Sequence, residues 1–359
     1  MKKYILLVVL GVFLFVACCD KNPTEGDFKE YTWNISTPES EGIDTQVLNS
    51  AFTQARKLGF VDALLVIRHG SIVAEKYFNG YDEYTPHNVK SISKSFLSAI
   101  TGIAFHMGYL KNLDDKVLYY FPEYLSSVTD KKKFDITIRH LLTMRMGIER
   151  ERINYMDIYN SDNWLRETIE LPLLSDPGER MRYNTFQTHM LSAIITKATQ
   201  MNTKKFARMY LTNPMNITIN YWEKCPQGYY FGGNSMHFIP RAMATLGYMY
   251  LKEGRLNGKQ IIPKEWVKLT LSPSTDFSPS KWGALENYNY GYLWWLGQIN
   301  NRDMYTAWGY GGQFVMVFPQ LELIVVSTAG TEIYWETADT QELAILDIIS
   351  EYILPSIQN

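Results

Sequence analysis

Ser91-Ile92-Ser93-Lys94, followed at once by Phe96, Leu97, Ile100, Ile103, Ala104 and Met107, is the stretch on which the fold turns. Its apolar residues recur at helical spacing, so it predicts a buried helix. The three-residue interval places the Ser91 hydroxyl and the Lys94 amine on one face at the N-terminal end. A lysine enclosed by apolar packing loses part of its preference for the charged form and can accept the serine proton near neutral pH. The partial positive charge of the helix start favours the anion that results. The same residues also suit a plainer arrangement, a serine in the first turn of a core helix with Lys94 reaching out to solvent. A second copy of the spacing, Ser278-Pro279-Ser280-Lys281, lies in a Ser/Pro stretch where Pro273 and Pro279 forbid a continuous helix.

Outward from Ser91 the pattern changes in both directions. Towards the N-terminus, Asp44 to Leu58 is helical in spacing and ends at Gly59, and Ala63 to Arg68 and Ile72 to Phe78 flank His69-Gly70-Ser71 as a hairpin. From Ser91 to about Pro273 the pattern is mostly helical, with long loops at Thr129 to Phe134 and around Asp176-Pro177-Gly178. Strands return as Tyr292 to Trp295, Met304 to Trp308, Phe314 to Phe318 and Leu323 to Ser327, and Thr340 to Tyr352 closes the chain as an amphipathic helix. Strands at both ends and helices between predict an α+β fold: one antiparallel sheet flanked by helices, built from N- and C-terminal pieces, with a large helical insertion. The expected division is a sheet lobe of about 35–88 and 288–359 and a helical lobe of about 89–287. Ser91 then sits where the chain leaves the sheet, at a cleft between lobes.

Composition limits what such a site can serve. The chain has 359 residues, 35 basic and 37 acidic, for a formal net charge of −2, which gives no electrostatic case for nucleic acid. Lys131-Lys132-Lys133, between Asp130 and Asp135, reads as a solvated turn. The six histidines are scattered without ligand spacing, so no metal site is expected. At the N-terminus Lys2-Lys3, an apolar run from Tyr4 to Val16 and then Ala17-Cys18 form an export signal over residues 1–17. Its apolar run is shorter than the ~20 residues that a spanning helix needs. Phe15-Val16-Ala17-Cys18 resembles a bacterial lipobox with phenylalanine in the usual leucine position. That resemblance implies lipidation of Cys18, a polar tether over 18–34 and an exported, membrane-anchored lipoprotein of the bacterial envelope. With Cys18 and Cys19 set aside only Cys225 is left, so no internal disulfide is available.

No Gly-x-Ser-x-Gly elbow, His-Glu-x-x-His, Gly-x-x-x-x-Gly-Lys or Gly-x-Gly-x-x-Gly motif is present. Three boxes remain: Ser91-Ile-Ser-Lys94, Pro177-Gly178-Glu-Arg-Met-Arg-Tyr183-Asn184-Thr185 and Ala307-Trp308-Gly309-Tyr310-Gly311-Gly312-Gln313. In order and spacing they resemble the serine β-lactamase-like and penicillin-binding-protein-like hydrolases, and within these class C β-lactamases, related esterases and 6-aminohexanoate-dimer hydrolases. The resemblance extends through Ile67 to Gly70, Ile136 to Leu142, Gly232-Gly233-Asn234 and Gly258 to Pro263. It implies the β-lactamase/transpeptidase-like fold, with Ser91 as nucleophile, Lys94 as its base and Tyr183 as the phenol that relays protons, its anion stabilised by the nearby ammonium. No cofactor is implied.

This chain departs from the family pattern in two boxes. Thr185 stands where many members carry asparagine. The third box lacks the usual cation whether it is aligned as Ala307-Trp308-Gly309, the preferred register, or as Tyr310-Gly311-Gly312. In the preferred register the backbone N–H groups of Ser91 and Tyr310 form the oxyanion site, and Thr185, Trp308, Gly309 and Asn234 contact substrate. Without the cation, the carboxylate of a penicillin or a D-Ala-D-Ala peptide loses a partner. The expected activity is therefore hydrolysis of a small-molecule amide or ester through a Ser91 acyl-enzyme. A β-lactamase or D,D-peptidase, and a non-catalytic sensor of the same fold, are the alternatives.

Overall fold

The computed structural model describes residues 31–274 and 280–358, so the leader, Cys18 and Ser278 lie outside the described residues. A nine-stranded sheet runs through the molecule. Its strands are β1 (Asn34–Ile35), β2 (Val61–Arg68), β3 (Ser71–Tyr77), β4 (Lys281–Trp282), β5 (Leu285–Tyr290), β6 (Trp295–Ile299), β7 (Arg302–Gly309), β8 (Gln313–Phe318) and β9 (Leu323–Ala329). Their spatial order is β1-β3-β2-β9-β8-β7-β6-β5-β4, and every pairing is antiparallel except β1 with β3. The N-terminal hairpin meets the C-terminal strands where β2 pairs with β9, with Val66 opposite Val325. The sheet is thus one mostly antiparallel structure built from N- and C-terminal pieces, as the sequence pattern implies.

Both faces of this sheet are covered, because residues of both parities along its central strands are apolar. In β8, Phe314, Met316 and Phe318 join the core packed against α1 (Thr45–Leu58) and the C-terminal helix. Val315 and Val317 point the other way, into the larger core shared with the helical region. That region is threaded by α2 (Ile92–His106), whose residues from Ile92 to Ala104 are all buried. Among the described residues no helix is long and apolar enough to cross a membrane.

Several elements differ from the sequence expectation. Tyr292 to Trp294 do not form a strand: Leu293 has φ 64° and its carbonyl accepts the Ser95 hydroxyl of α2 at 2.8 Å, so strand pairing begins only at Trp295. The C-terminal piece of the sheet begins at Lys281 and includes β5, a strand of mixed polar sequence. The last helix runs Trp335–Ile348 and passes into a π turn over Ile349–Ile353. The lysine run is only partly solvated. Asp130 caps a 3-10 turn over Lys131–Asp135, and Lys133 is buried with its Nζ donating to the Ile169 carbonyl at 2.7 Å.

Candidate active site

Ser91 is set at a sharp turn between the short strand His87–Asn88 and α2. The Lys90 N–H donates to Asn88 Oδ1 at 3.0 Å and Lys90 takes φ 48°, a left-handed conformation that a non-glycine residue adopts only where its surroundings enforce it. The turn is backed by Gly309 at the end of β7, where any side chain would collide with the Val89 carbonyl. This close approach brings the end of β7 to Ser91.

Lys94 lies one turn along α2 and is 1% exposed, which excludes the solvent-reaching arrangement. Its Nζ donates to Ser91 Oγ at 2.7 Å, to Thr185 Oγ1 at 2.9 Å and to the Gly233 carbonyl at 2.7 Å. The last bond needs the Gly232-Gly233 backbone to lie against Thr185 and Thr188, leaving no room for a Cβ at either glycine. Burial pushes the Lys94 pKa down to about 8, with the Glu151 carboxylate opposing the shift. With its pKa lowered, the neutral amine can donate to Thr185 Oγ1 and the Gly233 carbonyl and turn its lone pair to the Ser91 hydroxyl, which equips it to take that proton.

Tyr183, Asn184 and Thr185 divide three tasks at the start of α4, which has the range Thr185–Thr199, while α3 spans Glu151–Tyr159. Asn184 caps α4 by accepting the Phe186 N–H at 2.9 Å and donates to the Glu149 carbonyl at 2.9 Å. Thr185 turns its hydroxyl to Lys94, and its N–H donates to Glu151 Oε2 at 2.6 Å. Tyr183 places its ring over the amine, with Lys94 Nζ 4.8 Å from the centroid. Burial first, then Tyr290 and Glu151, hold the Tyr183 pKa well above its ordinary value, and the nearby Ser91 hydroxyl only partly offsets them. The shift runs against the expected stabilisation of a phenolate and favours the phenol form of Tyr183.

These groups open into a cavity of about 570 Å³ lined by Ser91, Tyr183, Asn234, Trp308 and Tyr310 among others. Its wall is largely aromatic. Trp295 stacks on Tyr183 at 5.9 Å and lies 5.5 Å from Trp308, which is 6.4 Å from Trp282. Of the expected substrate contacts, Trp308 and Asn234 line the cavity, and Asn234 reaches the Tyr155 hydroxyl at 3.5 Å. Thr185 and Gly309 do not line it: the first is 1% exposed and engaged by Lys94, and the second is packed on Val89. Ala307-Trp308-Gly309 ends β7 and Tyr310 to Gly312 form the following turn, so it is the first of the two registers that lies on the strand beside Ser91.

Three carboxylates in the wall carry no motif and escaped the sequence reading: Glu151, Asp339 and Glu342. The two wall cations are already engaged. Lys90 pairs with Glu332 at 3.6 Å, and Arg152 pairs with Asp339 at 3.5 Å with its guanidinium 4.9 Å from the Trp335 ring centre.

The sequence matches the Beta-lactamase family over residues 54–331. The 6-aminohexanoate-dimer hydrolase of Paenarthrobacter ureafaciens is 23% identical over 306 residues, 78% of this chain and 74% of that protein. Among solved structures, a Bacillus anthracis protein assigned provisionally as a 6-aminohexanoate-dimer hydrolase aligns with a TM-score of 0.71 at 19% identity, covering 91% of this chain and 87% of that one. EstCE1, a hydrolase with promiscuous acyltransferase activity, aligns with a TM-score of 0.66 at 16% identity, covering 87% and 98%. At such identities the structural likeness speaks to the fold.

Proposed function

The chain belongs to the Beta-lactamase family, and from that premise we propose that it is a serine hydrolase that cleaves an uncharged ester or amide through an acyl-enzyme on Ser91. The observation that carries this reading is the 2.7 Å contact between a buried Lys94 amine and the Ser91 hydroxyl at the floor of an aromatic cavity. Neutral Lys94 takes the Ser91 proton as Oγ attacks the substrate carbonyl, and the oxyanion is held by the backbone N–H groups of Ser91 and Tyr310. The Tyr183 phenol protonates the leaving group and recovers its proton from the Lys94 ammonium that lies against its ring, which resets both groups. Water then attacks the acyl-enzyme, giving its proton to Lys94, which returns it to Ser91 Oγ as the acid departs.

The cavity wall favours uncharged substrates. A carboxylate entering it would face Glu151 and Asp339 and find Lys90 and Arg152 already paired. Short-chain p-nitrophenyl esters are expected to be turned over with kcat/KM at least about tenfold above a chromogenic cephalosporin, which corresponds to ~1.4 kcal/mol of differential transition-state binding. A panel of p-nitrophenyl esters, aminoacyl amides and β-lactams tests this. Efficient cephalosporin hydrolysis with no esterase activity would show a β-lactamase instead.

The reading includes an envelope location with Cys18 lipidated as the first mature residue, supported by the leader and the lipobox-like Phe15-Val16-Ala17-Cys18. Cys18→Ser is expected to release the protein from the membrane fraction or leave it unprocessed. Intact mass of the detergent-extracted protein decides the point, since an unmodified N-terminus at or beyond Cys19 means ordinary secretion.

A further inference from the structure

Glu342 lies in the C-terminal helix, α6 (Trp335–Ile348), which follows α5 (Pro240–Leu251) among the long helices. It is 6% exposed and lines the same cavity as Ser91. Its Oε1 accepts the Gly311 N–H at 3.0 Å, and Trp308 lines the same cavity. The adjacent Gln341 grips the same residue from its other end, Nε2 donating to the Gly311 carbonyl at 2.8 Å and to the Gly330 carbonyl at 3.0 Å. Gly311 and Gly312 have φ 79° and 99°, in the left-handed region where glycine is unrestrained. The turn after β7 is therefore held at Gly311 from α6, while Ser327 of β9 donates to the Gly312 carbonyl at 2.8 Å.

We propose that Glu342 is a positioning residue for the reaction: by holding the Gly311 N–H, it fixes the turn that presents the Tyr310 N–H to the oxyanion on the substrate. This rests on the reading of Ser91 and Tyr310 given above. The charge of Glu342 matters as well as its shape. Burial pushes its pKa up to about 8; Asp339 on its own helix adds to the rise, and the Gly311 N–H, the Trp308 side chain and Arg152 from α3 oppose it. The phenols of Tyr310 and Tyr183 are the other titratable groups that face it. Near pH 7 the clamp is mostly an uncharged acid, which holds the turn without setting a negative charge beside the one that develops on the substrate. Above about pH 8 that advantage is lost as Glu342 ionises.

The test is kcat and KM for p-nitrophenyl acetate between about pH 6 and 10 in the wild type, Glu342→Ala and Glu342→Gln, with fluorophosphonate labelling of the same samples. Glu342→Ala is expected to lower kcat about tenfold or more with KM within about twofold, because the oxyanion donor is misplaced while the aromatic walls stay. Glu342→Gln, which keeps an acceptor for Gly311, is expected to recover most of that loss at pH 7 and to lack the wild type's decline above about pH 8. Equal kcat in all three proteins, equal loss in both variants, or an alkaline decline shared by wild type and Glu342→Gln would each overturn the proposal. Should Glu342→Ala fail to fold, the alkaline limb of Glu342→Gln decides alone. A wild type that does not label at Ser91 refutes the nucleophile and this proposal together; a labelled wild type with unaltered Glu342 variants refutes this proposal only.

Discussion

Ser91→Ala is expected to reduce p-nitrophenyl ester turnover and fluorophosphonate labelling to background, a fall of at least about a thousandfold, because no other hydroxyl stands against the Lys94 amine in a position to attack. The fold should survive. Ser91 is the N-cap of α2 by position but its side chain caps no backbone N–H, so its removal does not unseat the helix. Lys94 keeps Thr185 Oγ1 and the Gly233 carbonyl as partners. A Tm within about 3 °C of the wild type is the matching expectation. Ser278→Ala should change neither rate nor labelling. Labelling that persists in Ser91→Ala and disappears in Ser278→Ala would move the nucleophile to the other Ser-x-x-Lys copy.

How far this site was legible depends on the range of each interaction. The Ser91–Lys94 contact is fixed by helical geometry over three residues, so spacing alone exposes it. The other two partners of Lys94 lie 91 and 139 residues away in sequence, and no local pattern announces them. Glu151 and Glu342 escaped for a related reason: a single carboxylate in an amphipathic helix looks like solvated surface until the sheet and the neighbouring helix close over it. The central strands were legible because both faces are apolar. β5 was not, since Glu286, Asn287 and Asn289 interrupt its pattern and Asn287 has φ 50° at a bulge near the sheet edge. Tyr292 to Trp294 misled in the opposite sense. A run of aromatic and aliphatic residues suggests a strand, yet these three fill the interior beneath α2, Trp294 packing on Tyr250 at 4.4 Å, with the backbone bent to suit.

Lys94→Met separates the chemistry of the amine from its packing, and its expected effect is a loss of kcat/KM of about a thousandfold, the middle of the range for removing a general base. Methionine fills a comparable volume, so the apolar surroundings of α2 should stay packed. Two acceptors, Thr185 Oγ1 and the Gly233 carbonyl, lose a donor, which costs stability, while a buried amine is no longer carried, which restores some of it. The pH dependence supplies the sharper evidence. Burial lowers the Lys94 pKa from 10.5 to about 8, so wild-type kcat/KM should climb as pH rises towards about 8, where the neutral base becomes the main species. The residual rate of Lys94→Met should show no such climb. Stability carries the same signature. Between about 8 and 10.5 the unfolded chain holds a proton on Lys94 that the folded one has released, so the contribution of this residue to stability rises with pH across that window and is least favourable below it. Urea midpoints at several pH values should show this rise in the wild type and its loss in Lys94→Met. A variant that keeps the wild-type rate, or a wild-type rate that is flat between about pH 6 and 8, would remove Lys94 from the role of base and leave Tyr183 as the group to examine.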